Sequence, residues 1–246
     1  MFAFFFYTIE YEQNQLVDTP TAGILQKGNV EINTKIYRDN GILIGTKIGL
    51  FSRFMFGVSY GGEQIVGNEE PNWHNRVEAE AKYRLIDESP KSPAVAVGFS
   101  SQGHGRFDES REKYDIKSKG FYGIVSRNFL LFGNLGVHGG INYSLEDTET
   151  DNDINFFVGL DKSLGNQINL LCEYDFALND NELDEDSSRN TDSDNKYEGN
   201  GFLNAGISIK VNNNFRIKLS AYDLLENNPE TTAMDRAILI KYFFSY

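Results

Sequence analysis

The chain has 246 residues, and its 23 Gly, 19 Phe and 13 Tyr beside only 5 Pro and 3 Met favour sheet over helix. The net charge of −13 argues against nucleic acid as a partner. A single cysteine, Cys172, excludes an internal disulfide framework and a cysteine-based zinc site. We therefore expect one large β domain or two small ones, with no metal and no cofactor.

The mean hydropathy of the chain is −0.43, a value typical of soluble proteins. No apolar run reaches the ~18 to 20 residues that a membrane-spanning helix needs. Both tests overlook β-barrels, whose strands alternate lipid-facing and lumen-facing residues. The alternation along the chain therefore decides the class of protein.

The first residues do not have the pattern of a complete export signal. Phe2 to Tyr7 is apolar but short, with no basic region and no small-residue cleavage site. We expect residues 1–17 to be an N-terminal stub, either the remnant of a signal peptide or the result of a wrongly chosen start. The signal peptide itself is then missing from the chain. Residues 18–246 form the folded barrel, and residues 1–8 lie outside it.

About twelve stretches alternate apolar and polar residues with the period of a β-strand, and none shows helical periodicity. They span residues 29–38, 42–50, 54–64, 76–86, 94–101, 117–127, 134–145, 154–162, 167–178, 202–211, 215–225 and 236–246. The pattern leaves the register of the sixth strand, 117–127, open. The fourth strand alternates most regularly, with these apolar and charged faces: Val77, Ala79, Ala81, Tyr83 and Leu85 against Arg76, Glu78, Glu80, Lys82 and Arg84.

The last strand carries its apolar stripe to the final residue. Every second position is apolar, namely Ile238, Ile240, Tyr242, Phe244 and Tyr246. Chain ends of soluble proteins are usually polar and frayed, whereas the final strand of an outer-membrane barrel closes the barrel against the first. We expect Tyr242, Phe244 and Tyr246 to form the insertion signal that the barrel assembly machinery reads.

Short and long connections alternate, as in an up-and-down barrel with turns at one end and loops at the other. The short connections are residues 50–53, 87–93, 163–166 and 212–214. The longer, polar ones are residues 66–75, 103–116, 146–153, 179–201 and 226–235. The first hairpin is the exception, since Asp39-Asn40-Gly41 predicts a tight turn on the long-loop side.

The alternation defines two faces but does not say which one faces water. About twelve strands enclose more space than side chains fill in a soluble barrel, where roughly eight strands pack. Aromatic residues near the strand ends fit the girdles of a membrane barrel; they are Tyr37, Tyr60, Tyr83, Tyr143, Tyr174, Phe202, Phe215 and Tyr242. We predict a single closed antiparallel transmembrane β-barrel in the bacterial outer membrane, surrounded by lipid and lipopolysaccharide. The alternative is a soluble β-sandwich binding protein, which buries the stripes between two sheets.

The polar face mixes charges of both signs. We expect it to line the lumen with Lys35, Lys47, Glu63, Arg76, Glu78, Glu80, Lys82, Arg84, His138, Glu173, Asp175, Lys210, Arg216, Lys218 and Lys241. A lining of one sign selects ions by charge, whereas a mixed lining forms salt bridges across a narrow lumen. The sequence therefore predicts a constricted or structural interior.

Acidic residues concentrate in two of the long loops. They are Asp180, Glu182, Asp184, Glu185, Asp186, Asp192, Asp194 and Glu198 in one, and Asp147, Glu149, Asp151 and Asp153 in the other. Carboxylate-rich loops suit Ca²⁺, but the spacing lacks the fixed glycine of an EF-hand. We interpret both stretches as solvated outer loops.

A serine and a histidine near the outer rim suggest a lipid hydrolase as an alternative. Ser101 and His104 lie in a glycine-rich stretch at the end of the fifth strand, and a serine beside a histidine can act as nucleophile and base. Their spacing differs from the His-x-Ser-Asn-Gly pattern of outer-membrane phospholipases and deacylases. We expect no enzymatic activity and keep this pair as the weaker alternative.

Six stretches carry a resemblance to a known family: residues 18–22 (DTPTA), 57–62 (GVSYGG), 82–86 (KYRLI), 98–103 (GFSSQG), 119–122 (KGFY) and 136–143 (GVHGGINY), which residues 173–175 (EYD) continue. The chain resembles bacterial outer-membrane barrels related to the YjbH-like proteins linked to exopolysaccharide production. Those proteins are larger, so the chain matches one barrel portion. The resemblance implies an outer-membrane location and a link to surface polysaccharide, but it carries over no functional residue.

The sequence thus predicts an outer-membrane barrel that acts as a narrow channel or as a structural protein of the surface. Small solutes or an exported polysaccharide are the expected partners inside the barrel.

Overall fold

The computed structural model describes residues 12–146, 153–180, 201–228 and 234–246. This part of the chain has fifteen strands, and it has no helix long and apolar enough to cross a membrane. The strands are β1 (Asn29–Tyr37), β2 (Gly41–Phe51), β3 (Phe54–Glu63), β4 (Asn72–Trp73), β5 (Glu78–Ile86), β6 (Ala94–Ser100), β7 (His104–Asp108), β8 (Lys113–Ile116), β9 (Gly120–Leu130), β10 (Asn134–Tyr143), β11 (Asn155–Leu164), β12 (Ile168–Asp175), β13 (Phe202–Lys210), β14 (Phe215–Tyr222) and β15 (Asp235–Ser245).

One antiparallel barrel accounts for most of these strands. The large sheet has thirteen strands, of which β4 only extends β3, and the other twelve close into a ring. β1 pairs with β2 on one side and with β15 on the other, so the ring has no open edge. The remaining strands, β7 and β8, pair with each other in a separate sheet. The predicted fold class, a closed up-and-down barrel whose last strand pairs with its first, is confirmed.

The two ends of the barrel differ as predicted. Turns at residues 52–53, 87–93, 131–133, 165–167 and 211–214 define what we call the short-turn end. The opposite, long-loop end carries the longer connections and the tight turn between β1 and β2. Asp39 and Asn40 in that turn have φ values of 56° and 54°, which is the backbone that a two-residue hairpin turn requires.

The apolar face of the sheet points outward. Val77, directly before β5, is 63% exposed, and Tyr83 and Leu85 on β5 are 45% and 46% exposed. Glu78 and Lys82, on the other face of the same strand, are each 1% exposed. β15 has the same arrangement along its outward stripe. A soluble fold would bury the apolar side chains instead, so the closed sheet and its apolar outer surface exclude the β-sandwich alternative and fit a membrane barrel.

The strand with the open register begins later than the sequence predicted. β9 runs from Gly120 to Leu130 instead of from 117 to 127. Gly120 has a φ of 57° and pairs with Tyr143 at an irregularity of the ladder, so the regular strand cannot extend through residue 119. Lys119 consequently belongs to the preceding loop, and its side chain is buried.

The lumen of the barrel is occupied from its short-turn end by residues 12–27, which we call the lumen hairpin. Leu16, Val17 and Ile24 in this segment are among the most buried apolar residues of the protein. The predicted N-terminal stub, residues 1–17, therefore overlaps the barrel interior from residue 12 onward, and residues 1–11 lie outside the described part.

A second segment enters the lumen from the long-loop end. Residues 101–119, which we call the outer insert, connect β6 to β9 and contain the β7–β8 pair. The sequence predicted a plain loop at 103–116. His104 and Tyr114 of this insert are 2% and 0% exposed, so the insert folds inward instead of extending into solvent.

Candidate functional site

The lumen hairpin makes a tight turn at its tip and has both arms at the short-turn end. The Leu16 N–H donates to the Thr19 carbonyl at 2.9 Å, and Gln15 pairs with Pro20. Glu12 at the start of the hairpin contacts Arg84, near the short-turn end of β5. At the other arm, the Gly28 N–H donates to the Gly49 carbonyl at 2.9 Å. The hairpin therefore enters and leaves the lumen through the same end.

Glu173 holds the tip of the hairpin by its main chain. Its buried carboxylate accepts hydrogen bonds from the N–H groups of Val17, Asp18 and Thr19 at 2.9, 2.8 and 3.0 Å. The Thr19 hydroxyl and the Asn204 amide also donate to it, each at 2.8 Å. A buried carboxylate is tolerated when hydrogen bonds satisfy its oxygens, and here the hairpin supplies most of the donors.

Lys82 binds both arms of the hairpin through their carbonyl oxygens. Its side chain on β5 is 1% exposed. The Nζ atom donates to the carbonyls of Asn14 (2.6 Å), Thr21 (3.0 Å) and Gly23 (3.2 Å). Because an ammonium group has three donors and no acceptor, these three carbonyls use its full hydrogen-bonding capacity.

Two further cations of the barrel wall, meaning the inward face of the twelve strands, also donate to carbonyl groups of the hairpin. Lys218 on β14 donates to the carbonyls of Leu16 and Val17. Arg84 donates to the Ala22 carbonyl through Nε at 3.0 Å and through a terminal nitrogen at 2.8 Å. The wall therefore recognises the hairpin mainly by its backbone.

Two glycines allow this close approach. A Cβ atom at Gly159 would overlap the Cδ1 atom of Leu16, and one at Gly206 would lie 3.2 Å from a Cγ of Val17. The alternating pattern leaves room at these inward positions of β11 and β13 for the two apolar side chains of the tip. The second arm of the hairpin, residues 20–27, which we call the return arm, also packs its apolar side chains against the barrel wall. Ile24 and Leu25 lie in one buried cluster with Met55 and Phe243.

A short hydrogen-bonded chain on three neighbouring strands also ends on the hairpin. His138 donates from Nε2 to Asp161 at 2.9 Å, and its Nδ1 forms a hydrogen bond of 2.7 Å with the Ser126 hydroxyl. The same hydroxyl accepts the Ala22 N–H at 2.8 Å. Each group has a partner, so the geometry indicates that His138 positions the return arm.

The outer insert is held by side chains. His104 donates from Nε2 to Asp235 at 2.7 Å, accepts from Lys35 at Nδ1 at 2.6 Å, and stacks on Tyr222 with ring centroids 3.6 Å apart. Burial, followed by the nearby Lys35 charge, lowers the pKa of His104 to about 4. This histidine is therefore neutral near pH 7.

Three more side-chain contacts fix the β7–β8 pair. Asp115 forms an ion pair with Arg38 at 2.7 Å. The Tyr114 hydroxyl donates to Glu78 at 3.0 Å. Lys113 forms an ion pair of 2.9 Å with Asp180, one of the few described residues of the predicted acidic loops. The rest of those acidic residues, apart from Asp153, lie outside the described part of the chain.

A cavity of about 100 Å³ remains between the hairpin and the wall. Its charged lining consists of Asp18 on the hairpin and Glu31, Lys35, Lys47, Glu80, Lys119 and Lys241. This volume holds a few water molecules. The cavity itself is too small for a larger solute.

The fifteen residues predicted to line the lumen are placed as follows. Nine are buried: Glu63, Glu78, Lys82, Arg84, His138, Glu173, Asp175, Lys218 and Lys241. Six are half-buried: Lys35, Lys47, Arg76, Glu80, Lys210 and Arg216. The sequence did not identify the hairpin, which is the main partner of Lys82, Arg84, Glu173 and Lys218. The part of the hairpin that stood out in the sequence was the stretch 18–22. It contributed to the family resemblance but indicated no binding role.

Ser101 and His104, the predicted rim pair, hydrogen-bond to other partners. The Ser101 hydroxyl accepts the Ala79 N–H at 3.0 Å and donates to the Ala79 carbonyl at 3.4 Å. Both ring nitrogens of His104 are used by Lys35 and Asp235. Lipid hydrolysis at this pair stays a prediction. Phospholipid cleavage that is lost in Ser101→Ala is the result that would support it.

Comparison with known proteins identifies the fold. Searches of protein-family models and of curated proteins gave no match. Among solved structures, the KdgM porin is similar with a TM-score of 0.52 and 9% identity, over 88% of this chain and 99% of that one. KdgM in complex with disordered oligogalacturonate follows at 0.48, with 10% identity over 89% and 99% of the two chains. The NanC porin follows at 0.44, with 8% identity over 88% and 99%. The chain has the fold of an outer-membrane porin.

Proposed function

We propose that this protein is an outer-membrane channel whose lumen is closed by two displaceable segments of its own chain, the lumen hairpin and the outer insert. The observation that carries the proposal is the way the hairpin is bound. It lies inside the barrel with both arms at one end, and Glu173, Lys82 and Lys218 hold it by hydrogen bonds. Because both arms lie at one end, the hairpin can be withdrawn without unpairing any strand of the barrel.

The free-energy difference between the bound and the released hairpin is small enough to support movement of the hairpin. Each hydrogen bond to a charged group contributes about 1.5 to 3 kcal/mol net when its partner is otherwise lost, but water can replace the hairpin at every one of these atoms. The apolar side chains that leave the lumen are few, chiefly Leu16, Val17 and Ile24. The bound and released states therefore differ much less than the folded and unfolded barrels.

Planar-bilayer recording of full-length variants tests the channel. Val17→Pro with Thr19→Pro removes two of the N–H groups that Glu173 accepts, and His104→Ala removes the main contact of the outer insert. We expect little current from the unchanged protein and the largest current when both sets of substitutions are combined. Heat-modifiable migration on gels verifies that each variant is a folded barrel. A folded combined variant without current contradicts the proposal.

A reversible cross-link provides the matched control. Gly206 and Val17 are close enough for a disulfide between introduced cysteines. We expect Val17→Cys with Gly206→Cys, combined with Cys172→Ser and His104→Ala, to pass no current when oxidised and to regain channel openings when reduced. Equal current in the two redox states would mean that the hairpin does not control passage.

The resemblance to YjbH-like proteins extends the proposal to surface polysaccharide as the passing solute. In this version lipid and lipopolysaccharide surround the outward stripe, and the barrel assembly machinery uses Tyr242, Phe244 and Tyr246 during insertion. The exposed positions of Tyr242 and Tyr246 support contact with lipid. Deleting the gene and measuring exopolysaccharide at the cell surface tests the link, and unchanged export removes it while leaving the channel proposal intact.

A further inference from the structure

His104 of the outer insert lies between polar and aromatic groups that belong to the barrel itself. Its Nδ1 accepts from Lys35 on β1 at 2.6 Å, and its Nε2 donates to Asp235 on β15 at 2.7 Å. Its ring lies flat on Tyr222 of β14, with 6° between the ring planes and 3.6 Å between the ring centroids. The barrel therefore surrounds the imidazole with a donor at one edge, an acceptor at another edge and an aromatic face.

These three wall residues belong to neighbouring strands that stay in place when the insert moves. Tyr222 and Asp235 are directly opposite each other in the ladder between β14 and β15, and β15 pairs with β1 in the closed ring. Within the described part of the chain, His104 is the one hydrogen-bond partner of the Lys35 side chain. Displacement of the insert therefore leaves an ammonium group, a carboxylate oxygen and an aromatic face available to another molecule.

The groups in contact with the imidazole determine the class of molecule that fits. An anionic ring would meet the Asp235 carboxylate at hydrogen-bonding distance, and a cationic ring would meet the Lys35 ammonium, so an uncharged ring is favoured. A flat face stacks on the Tyr222 ring. A cavity of about 10 Å³ lies beside the imidazole and leaves room for about one more atom. Nitrogen heterocycles and hexose rings meet these conditions, since both have a flat face, a lone pair and an N–H or O–H group.

We infer that the place filled by His104 is a ligand site, and that the outer insert blocks it with its own imidazole. The ligand is an uncharged ring that stacks on Tyr222, accepts from Lys35 and donates to Asp235. This inference rests on the proposed function, because a solute reaches the site only when the insert is displaced. A bound solute competes with His104, so it favours the displaced insert and with it the open channel.

Equilibrium dialysis of the refolded, full-length His104→Gly barrel against imidazole tests the site. Alkaline pH keeps free imidazole neutral, and we expect it to bind this variant more tightly than the unchanged protein, whose own side chain fills the place. N-methylimidazole accepts from Lys35 but has no donor for Asp235, so its affinity should be lower by about tenfold or more. Adding Tyr222→Leu should weaken imidazole binding, whereas adding Tyr83→Leu, at an outward-facing tyrosine, is the matched control and should leave it unchanged.

Amide exchange in the unchanged protein measures the competition between the ligand and the insert. We expect exchange in β7 and β8 to become faster as the imidazole concentration rises, with a smaller effect of N-methylimidazole. Exchange that does not respond to imidazole overturns the blocking of the site by the insert.

The outcomes separate the inference from the proposed function. Equal binding of the two imidazoles by His104→Gly, or binding unaffected by Tyr222→Leu, overturns the ligand site while the channel stands. Absence of current in the folded combined variant overturns the channel, and the dialysis result is independent of that current. Displacement of bound imidazole by glucose assigns the site to hexose rings, and binding of imidazole without displacement assigns it to nitrogen heterocycles.

Discussion

The two segments that close the lumen are held by different chemistry. Glu173, Lys82 and Lys218 bind the lumen hairpin through backbone N–H and carbonyl groups. The outer insert is held through side chains, chiefly those of His104 and Asp115. Backbone groups do not titrate and do not change with substitution, whereas side chains do both. The hairpin therefore depends on the wall residues that bind it, and the insert responds to pH.

Loss of the Glu173 carboxylate should produce the largest difference in stability between the hairpin and the outer insert. Glu173→Ala leaves the N–H groups of Val17, Asp18 and Thr19 without their acceptor inside the lumen. Removing one partner of a buried charged network costs about 3 to 5 kcal/mol. We expect a lower midpoint of urea unfolding, faster amide exchange in residues 12–27 and unchanged exchange in β7 and β8. Glu173→Gln keeps one acceptor oxygen and should show a smaller change, and equal protection in all three proteins would refute recognition through the backbone.

Acidic pH should release the outer insert before the hairpin. The pKa of His104 is about 4 in the folded protein, below its ordinary value of 6.5. The unfolded or released segment therefore binds the proton more readily between these two values, and the contribution of His104 to the stability of the insert falls as the pH falls from 6.5 to 4, by up to about 3 kcal/mol. Burial raises the pKa of Glu146, which accepts the Tyr114 N–H, to about 7, so its protonation acts in the opposite direction over the same range. A protonated imidazole cannot accept from Lys35, so the contact at Nδ1 is lost.

Hydrogen exchange followed by mass spectrometry at several pH values measures this release. After correction for intrinsic rates, we expect the protection of β7 and β8 to decrease more below pH 6.5 in the unchanged protein than in His104→Gln, while residues 12–27 keep theirs. His104→Gln should flatten the pH profile of the insert. The same profile in His104→Gln as in the unchanged protein assigns the effect to another group.

The smallest expected effect concerns a side chain of the hairpin. Asp18→Asn removes the ion pair of 2.9 Å with Lys119, but Lys119 keeps its ion pair with Asp175 at 2.7 Å. We expect a loss of about 1 kcal/mol in the free energy of unfolding, within the range of a single replaceable hydrogen bond. Urea unfolding of the refolded barrel checks this, and a loss as large as that of Glu173→Ala would show that side chains also determine how the hairpin binds.

The two faces of the barrel were predictable from the sequence, and the segments that fill the lumen were not. Residues such as Val77 and Tyr83 alternate with charged residues at period two, and lipid imposes that alternation on every strand, so the barrel and its closing strand could be derived. The binding partner of Glu173 could not be derived from the sequence. Its ligands are N–H groups at residues 17–19, and backbone groups are the same in every sequence.

The register of β9 shows a second limit. The stretch Lys117 to Lys119 continues the strand pattern in sequence, yet a left-handed residue at Gly120 ends the ladder there. A glycine allows such a backbone but does not require it. The outer insert was missed for a similar reason, since a loop of polar composition usually lies in solvent.

Residues 12 and 27 lie on the same side of the ring of strands, and this determines how the molecule can be assembled. No part of the described chain passes through the ring from one mouth to the other by way of the hairpin. The twelve strands can therefore close first and receive the hairpin afterwards, and the displacement that we propose breaks no covalent bond and separates no strand. A segment that crossed the ring once would instead have to draw its free end through the whole lumen after β15 had joined β1.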